Sequence, residues 1–110
     1  MTTPPLEPID AIAAWVDRNS QRAQKDAVQL TLRTGHVPDG SRRKATLGLQ
    51  RGDRLALIEA WSSGEMDFTL HDFSVGEEGQ TKHSQCTTFE DFDAAVDTCY
   101  MEFQGQGSGA

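Results

Sequence analysis

Three histidines and two cysteines are the side chains of this 110-residue chain best suited to metal binding or nucleophilic chemistry. A hairpin centred on Glu77 and Glu78 would bring His71 and His83 close together across two strands, and Asp72 and Cys86 could join them. A zinc site needs three or four converging ligands, often at tight spacings such as CxxC or HxxxH. The chain has no such spacing, so we predict surface histidines and no bound metal.

Nucleophilic catalysis requires a base and an orienting acid beside the cysteine. Cys99 falls on an apolar helical stripe and Cys86 has only His83 near it in sequence, so we expect two buried, inert thiols. The carboxylate pairs Glu77-Glu78 and Glu90-Asp91 are expected at a turn and in the first turn of a helix. General acid catalysis instead needs a carboxyl group desolvated in a pocket. We therefore predict that the protein is not an enzyme and needs no cofactor.

Apolar residues recur at helical spacing towards both ends of the chain. The first set predicts a helix over about residues 8–25, and the second predicts a helix over about residues 89–103. Thr88 and Asp91 approximate a capping box at the start of the second helix. The length is sufficient for one domain, expected over residues 8–104, between a flexible lead (1–7) and a flexible tail (105–110).

Between the helices, apolar and polar residues alternate with the period of two that is typical of strands with one buried face. The expected strands cover residues 28–32, 45–49, 54–61 and 66–75, with a weakly patterned edge strand at 80–86 and a hairpin tip at 76–79. The segment 54–61 is apolar on both faces, which is typical of a central strand. We predict an α+β fold: an antiparallel meander of three to five strands, flanked by an N-terminal and a C-terminal helix.

The net charge of −7 is unevenly distributed. Residues 1–61 carry nine Lys and Arg against seven Asp and Glu, whereas residues 62–110 carry one, Lys82, against ten. An acidic segment repels phosphate backbones and anionic lipid, so we expect no nucleic acid and no membrane as partner, but a basic protein surface. Reduced thiols and the absence of an export or membrane-spanning pattern predict a cytoplasmic protein.

Trp61 lies among acidic residues in the middle of the chain. If the turn after it preserves the register, Glu59, Trp61, Glu65 and Asp67 share one face of the sheet. A Trp among carboxylates is typical of an interface hot spot, although burial of Trp61 in the core is an equal alternative. The predicted partner-binding residues are Glu59, Trp61, Ser63, Glu65, Asp67, Asp72, Glu77 and Glu78.

Two segments, Arg43–Leu49 (RKATLGL) and Ala60–Phe73 (AWSSGEMDFTLHDF), resemble the TriTu-type bacterial immunity proteins, which have a Trp-x-Ser-Gly-Glu turn between strands. Thr88–Phe92 (TFEDF) opens a helix at the corresponding place, and Trp15-Val16 matches in the first helix. The likeness covers roughly residues 43–103.

The resemblance implies an antidote to an ADP-ribosyltransferase toxin domain that is carried by Rhs-type effectors of the type VI secretion system and modifies elongation factor Tu. We expect the chain to bind this cognate toxin domain and cover its basic NAD-binding cleft, and to be a monomer outside the complex. The alternative is a small acidic secretion chaperone that cradles an effector segment, typically as a dimer.

Overall fold

The structure, a computed structural model, describes residues 7–36, 42–72 and 77–105; the side chains of Asp72 and of residues 77–80 lie outside this description. Apart from Glu7 and Gly105, the predicted lead and tail also lie outside it. A short 3-10 turn, Pro8–Asp10, precedes the regular elements. These are α1 (Ala11–Lys25), β1 (Gln29–His36), β2 (Arg43–Arg51), β3 (Arg54–Trp61), β4 (Glu65–Asp72), β5 (Glu77–Gln85) and α2 (Phe89–Phe103).

Each strand pairs antiparallel with its neighbour in the chain, and the described strands form one sheet in the order β1-β2-β3-β4-β5. The predicted α+β fold, with an antiparallel meander between an N-terminal and a C-terminal helix, is confirmed. The prediction that residues 54–61 form a central strand is also confirmed, since β3 is the third of the five strands.

Both helices pack on one face of the sheet. Leu47, Ile58 and Phe68 lie opposite one another on the adjacent strands β2, β3 and β4. Their side chains point towards the helices and are at most 4% exposed. The apolar stripe of α2 joins the same core, with Phe92 and Tyr100 at 1% and 0% exposed. The hydrophobic core therefore lies between the helix layer and one side of the sheet.

The capping box predicted for α2 is present. The Thr88 hydroxyl accepts a hydrogen bond from the Asp91 backbone N–H at 3.0 Å, and the Asp91 carboxylate accepts one from the Thr88 N–H at 3.3 Å. These bonds satisfy backbone donors that have no partner within the helix, so they fix its first residue.

The β4–β5 hairpin differs from its prediction. Residues 77–79 belong to β5 rather than to a turn, because Glu77 pairs with Asp72, and Asp67 lies opposite His83. His71 and His83 therefore do not face each other across the hairpin. The described side chains of β5, residues 81–85, are all exposed, and Lys82 forms an ion pair with Glu102. This edge strand has no alternating apolar pattern from which its register could be predicted.

Candidate functional site

The face of the sheet opposite the helices carries side chains from all five strands. Both helices contact the other face, and no element within the described ranges covers this one. We call it the open face. Its members with described side chains include Thr31, Arg33, Lys44, Thr46, Gly48, Leu55, Leu57, Glu59, Trp61, Glu65, Asp67, Thr69, His71, Thr81 and His83. Antiparallel sheets commonly leave one face accessible in this way.

Trp61 lies on the open face and outside the hydrophobic core, which decides between the two positions that the sequence left open. It is half-buried, because Lys44 lies directly opposite it on β2 and places its ammonium 5.2 Å from the centre of the indole ring. The same ammonium lies 2.8 Å from the Glu59 carboxylate. Trp61 is thus held by neighbouring side chains while part of its ring remains accessible.

The turn between β3 and β4 preserves the strand register. It therefore keeps Trp61 on the same face of the sheet as Glu59, Glu65 and Asp67, as predicted from the sequence. Gly64 has a φ of +105°, and a Cβ at this position would lie only 2.6 Å from the carbonyl oxygen of Cys86. A side chain is therefore excluded by both the backbone conformation and the close approach of the chain after β5. Glu65 then starts β4 on the same face as Trp61, with Glu59 paired to Asp67.

Each carboxylate of the open face with a described side chain contacts a basic side chain. The pairs are Glu59 with Lys44 (2.8 Å), Glu65 with Arg42 (3.4 Å) and Asp67 with His83 (2.5 Å). Arg33, Arg42 and Lys44 equal these three carboxylates in number. Each carboxylate near Trp61 consequently contacts a basic side chain, in contrast to the acidic rim that the sequence suggested.

The eight predicted site residues do not form one patch. Five of them lie at or beside one end of the open face, namely Glu59, Trp61, Ser63, Glu65 and Asp67. Asp72 lies at the opposite end of β4, seven residues from Glu65, or roughly 23 Å along an extended strand. Glu77 and Glu78 begin β5 at that far end, opposite Asp72. The structure thus separates these three residues from the five around Trp61.

A depression of about 480 Å³ lies beside Trp61, on the side away from Lys44. Its lining consists of Trp61, Glu65, Asp67, His83, Ser84 and Gln85. Apart from Trp61 itself, every lining residue comes from β4 or β5, so the register of that hairpin decides what the depression contains.

A second depression, of about 220 Å³, lies at the middle of the open face and was not predicted. Leu57 is 36% exposed there, on the central strand, directly opposite Gly48 of β2. The available signal was the segment 54–61, which is apolar on both faces. This pattern predicted a central strand, and in the structure the helices cover only one of the two faces of that strand.

The two cysteines lie on the helix side of the sheet and are buried. Burial raises the pKa of the Cys99 thiol to about 12, and burial also raises the pKa of Cys86. Both thiols are therefore protonated at neutral pH, which is the opposite of what a nucleophilic cysteine requires. Within residues 7–36, 42–72 and 77–105, no three His, Cys, Asp or Glu side chains are grouped as a metal ion would require.

The fold and this surface define an α+β protein with one uncovered sheet face. Comparison with known proteins identifies no family: no protein-family model matches the chain, and no curated protein and no solved structure matches it. Neither of the two described helices is long and apolar enough to cross a bilayer.

Proposed function

We propose that this chain is an immunity protein that binds a cognate ADP-ribosyltransferase toxin domain with its open face and covers the active-site cleft of the toxin. The observation that carries the proposal is an uncovered five-stranded face with a half-buried Trp61 and a 36% exposed Leu57. Apolar groups gathered on an accessible surface are typical of protein-binding sites, and Trp contributes strongly to such interfaces.

The resemblance to TriTu-type immunity proteins supports the choice of a toxin as the partner. Arg43–Leu49 lies in β2. Residues 60–72 of the second segment run from the end of β3 through the turn and along β4, and Phe73 lies outside the described residues. Thr88–Phe92 contains the cap and first turn of α2. The strands that carry the resemblance are thus those that carry Trp61 and its neighbours on the open face.

The composition of the open face supports a complex between two separately folded proteins. Threonines and ion pairs surround Trp61 and Leu57, and interfaces between proteins that also exist alone are about as polar as other surfaces. The permanent dimer interface of a chaperone would be more apolar. We therefore propose a monomer that associates with the toxin domain, rather than a dimer that cradles an effector segment.

The test uses the toxin domain encoded next to the gene of this chain. Transfer of ADP-ribose from NAD to elongation factor Tu is measured with increasing amounts of the wild-type protein, Trp61→Ala, or Gln21→Ala as a control. Gln21 is exposed on α1, in the helix layer behind the sheet. Wild type and Gln21→Ala should stop the transfer at equimolar amounts. Trp61→Ala should bind at least about tenfold more weakly, or roughly 1.4 kcal/mol.

Two results would contradict the proposal. Unchanged ADP-ribosylation at an excess of folded wild-type chain would exclude the antidote function. Full inhibition by Trp61→Ala together with loss of inhibition by Gln21→Ala would place the interface on the helix layer instead of the open face.

A further inference from the structure

Gly48 occupies an interior position of β2 for which the fold gives no reason to use glycine. Its φ lies outside the left-handed range, so its backbone suits any residue. A Cβ built there would have Thr31 as its nearest neighbour, with both contacting atoms at 3.8 Å, an ordinary van der Waals distance. Glycine in a strand interior weakens the strand, and it often marks a place where another molecule approaches closely.

The missing side chain creates the depression at the middle of the open face. Gly48 lies between Thr31 of β1 and Leu57 of β3, in one row across the sheet. A larger residue at position 48 would fill part of the depression of about 220 Å³ and cover one side of Leu57. The glycine therefore leaves an apolar side chain accessible at the centre of the sheet.

Arg33 supplies the charge at the edge of this depression. It is exposed and has no ion pair among the residues that the structure describes, whereas Lys44 and Arg42 on the same side each contact a carboxylate. A carboxylate from a partner would complement Arg33 without displacing an existing ion pair. An apolar side chain of a partner would contact Leu57 and the methyl groups of Thr31 and Thr46. This contact would be favourable, because it removes apolar surface from water.

We propose that the depression above Gly48 receives an apolar side chain of the partner protein, flanked by a partner carboxylate that pairs with Arg33. This inference rests on the proposed function, since it assigns a docking point within the same open face. It makes Gly48 a specificity-determining residue, because its only role is to leave room for the partner.

The decisive variant is Gly48→Thr, with Gln21→Thr as the control. Gln21 is exposed on α1, in the helix layer and away from the open face. Both changes place a threonine on the surface, but only the first fills the depression. In urea unfolding, Gly48→Thr should be at least as stable as wild type, since Thr favours strands. Its Kd for the toxin domain, measured by calorimetry, should rise at least about tenfold, and that of Gln21→Thr should stay within about threefold.

The charge is tested separately with Arg33→Glu and Arg33→Lys. Arg33→Glu should raise the Kd at least about tenfold, because it places two carboxylates together, whereas Arg33→Lys should retain most of the affinity. Equal binding by Arg33→Glu and wild type would exclude the partner carboxylate.

The outcomes separate this inference from the proposed function. Binding of Gly48→Thr as tight as wild type would overturn the docking point while leaving the antidote function intact. A marked loss of stability in both Gly48→Thr and the smaller Gly48→Ala would show that the glycine serves the fold, which also overturns the inference. Failure of the wild-type chain to bind the toxin domain would overturn the proposed function and this inference together.

Discussion

Tyr100 is the residue whose contacts link the ends of both helices, behind the sheet and away from the open face. Its ring is fully buried 5.2 Å from that of Trp15, and its hydroxyl donates a hydrogen bond to the Asp26 carboxylate at 2.5 Å. The Gln104 amide donates to the same oxygen at 2.6 Å. The hydrogen bond from Tyr100 lowers the pKa of the Asp26 carboxyl group. The pKa of Tyr100 is raised above its usual range, first by burial and second by the hydrogen bond to Asp26.

This shift predicts a specific dependence of stability on pH. The pKa of Tyr100 is higher in the folded than in the unfolded chain. The contribution of Tyr100 to the free energy of unfolding is therefore complete below the unfolded pKa of about 10, and it declines as the pH rises above that value. Tyr100→Phe should be less stable than wild type at neutral pH, but its stability should fall less steeply above about pH 10. Urea unfolding over a pH series measures both effects, and because Tyr100 is the single tyrosine, tyrosinate absorbance reports it alone. Parallel alkaline slopes for the two proteins would contradict this assignment.

Among the elements, α2 contributes five buried residues to the core between the helix layer and the sheet. Phe92 is 1% exposed within the core, whereas Met101 on the same helix is 37% exposed. The two positions therefore allow a large apolar side chain to be removed from the buried and from the exposed side of one helix.

Phe92→Ala should lower the free energy of unfolding by roughly 3 to 5 kcal/mol, because it removes a buried ring and leaves a cavity. Met101→Ala, the matched control, should cost less than about 1 kcal/mol. Urea titration of both variants at unchanged m-value gives the comparison. A cost below about 1 kcal/mol for Phe92→Ala would mean that α2 does not pack on the sheet as described.

At the scale of the whole molecule, five of the seven carboxylates with described side chains in the acidic second half lie beside a basic side chain. Folding places α2 beside α1, where Asp93 contacts Arg18 and Asp97 lies 3.0 Å from Arg22. The carboxylates of the open face are likewise paired with basic side chains. Such exposed pairs contribute little to stability, but they offset part of the one-sided charge that the sequence suggested.

Two double charge reversals test whether binding depends on the residues beside Trp61 or on net charge. Glu65→Lys with Asp67→Lys alters the open face, and Asp17→Lys with Glu90→Lys alters exposed positions of the helix layer by the same total charge. The first variant should remain folded and bind the toxin domain more than about tenfold more weakly, since it opposes like charges at the interface. The second should bind within about threefold of wild type.

Surface-based kinetics at low and high salt would distinguish the possible results. If both variants lose affinity for the toxin domain equally, and if this loss disappears at high salt, net charge rather than the open face governs association. Binding of the first variant within about threefold of wild type at low salt would exclude Glu65 and Asp67 from the interface.

The sequence by itself determined where the helices and strands of this protein lie and which residues of each share a face. Helical spacing and the Thr88–Asp91 capping box predicted α2 at Phe89–Phe103, and alternation predicted which side of β2 and β4 is buried. These features depend on neighbours a few residues apart, so they are written in local patterns. For the same reason Trp61 and Glu65 could be assigned to one face across a short turn.

The tertiary structure alone decided the register of β5, the pairing of the open-face carboxylates and the exposure of Trp61 and Leu57. The polar β5 has no alternation, so its register follows from its pairing with β4. The ion pairs of the open face join residues as distant in sequence as Arg42 and Glu65, and their geometry follows from strand order. An apolar strand is covered on one face or on both according to where the helices pack, and this depends on contacts between distant segments that no local pattern records.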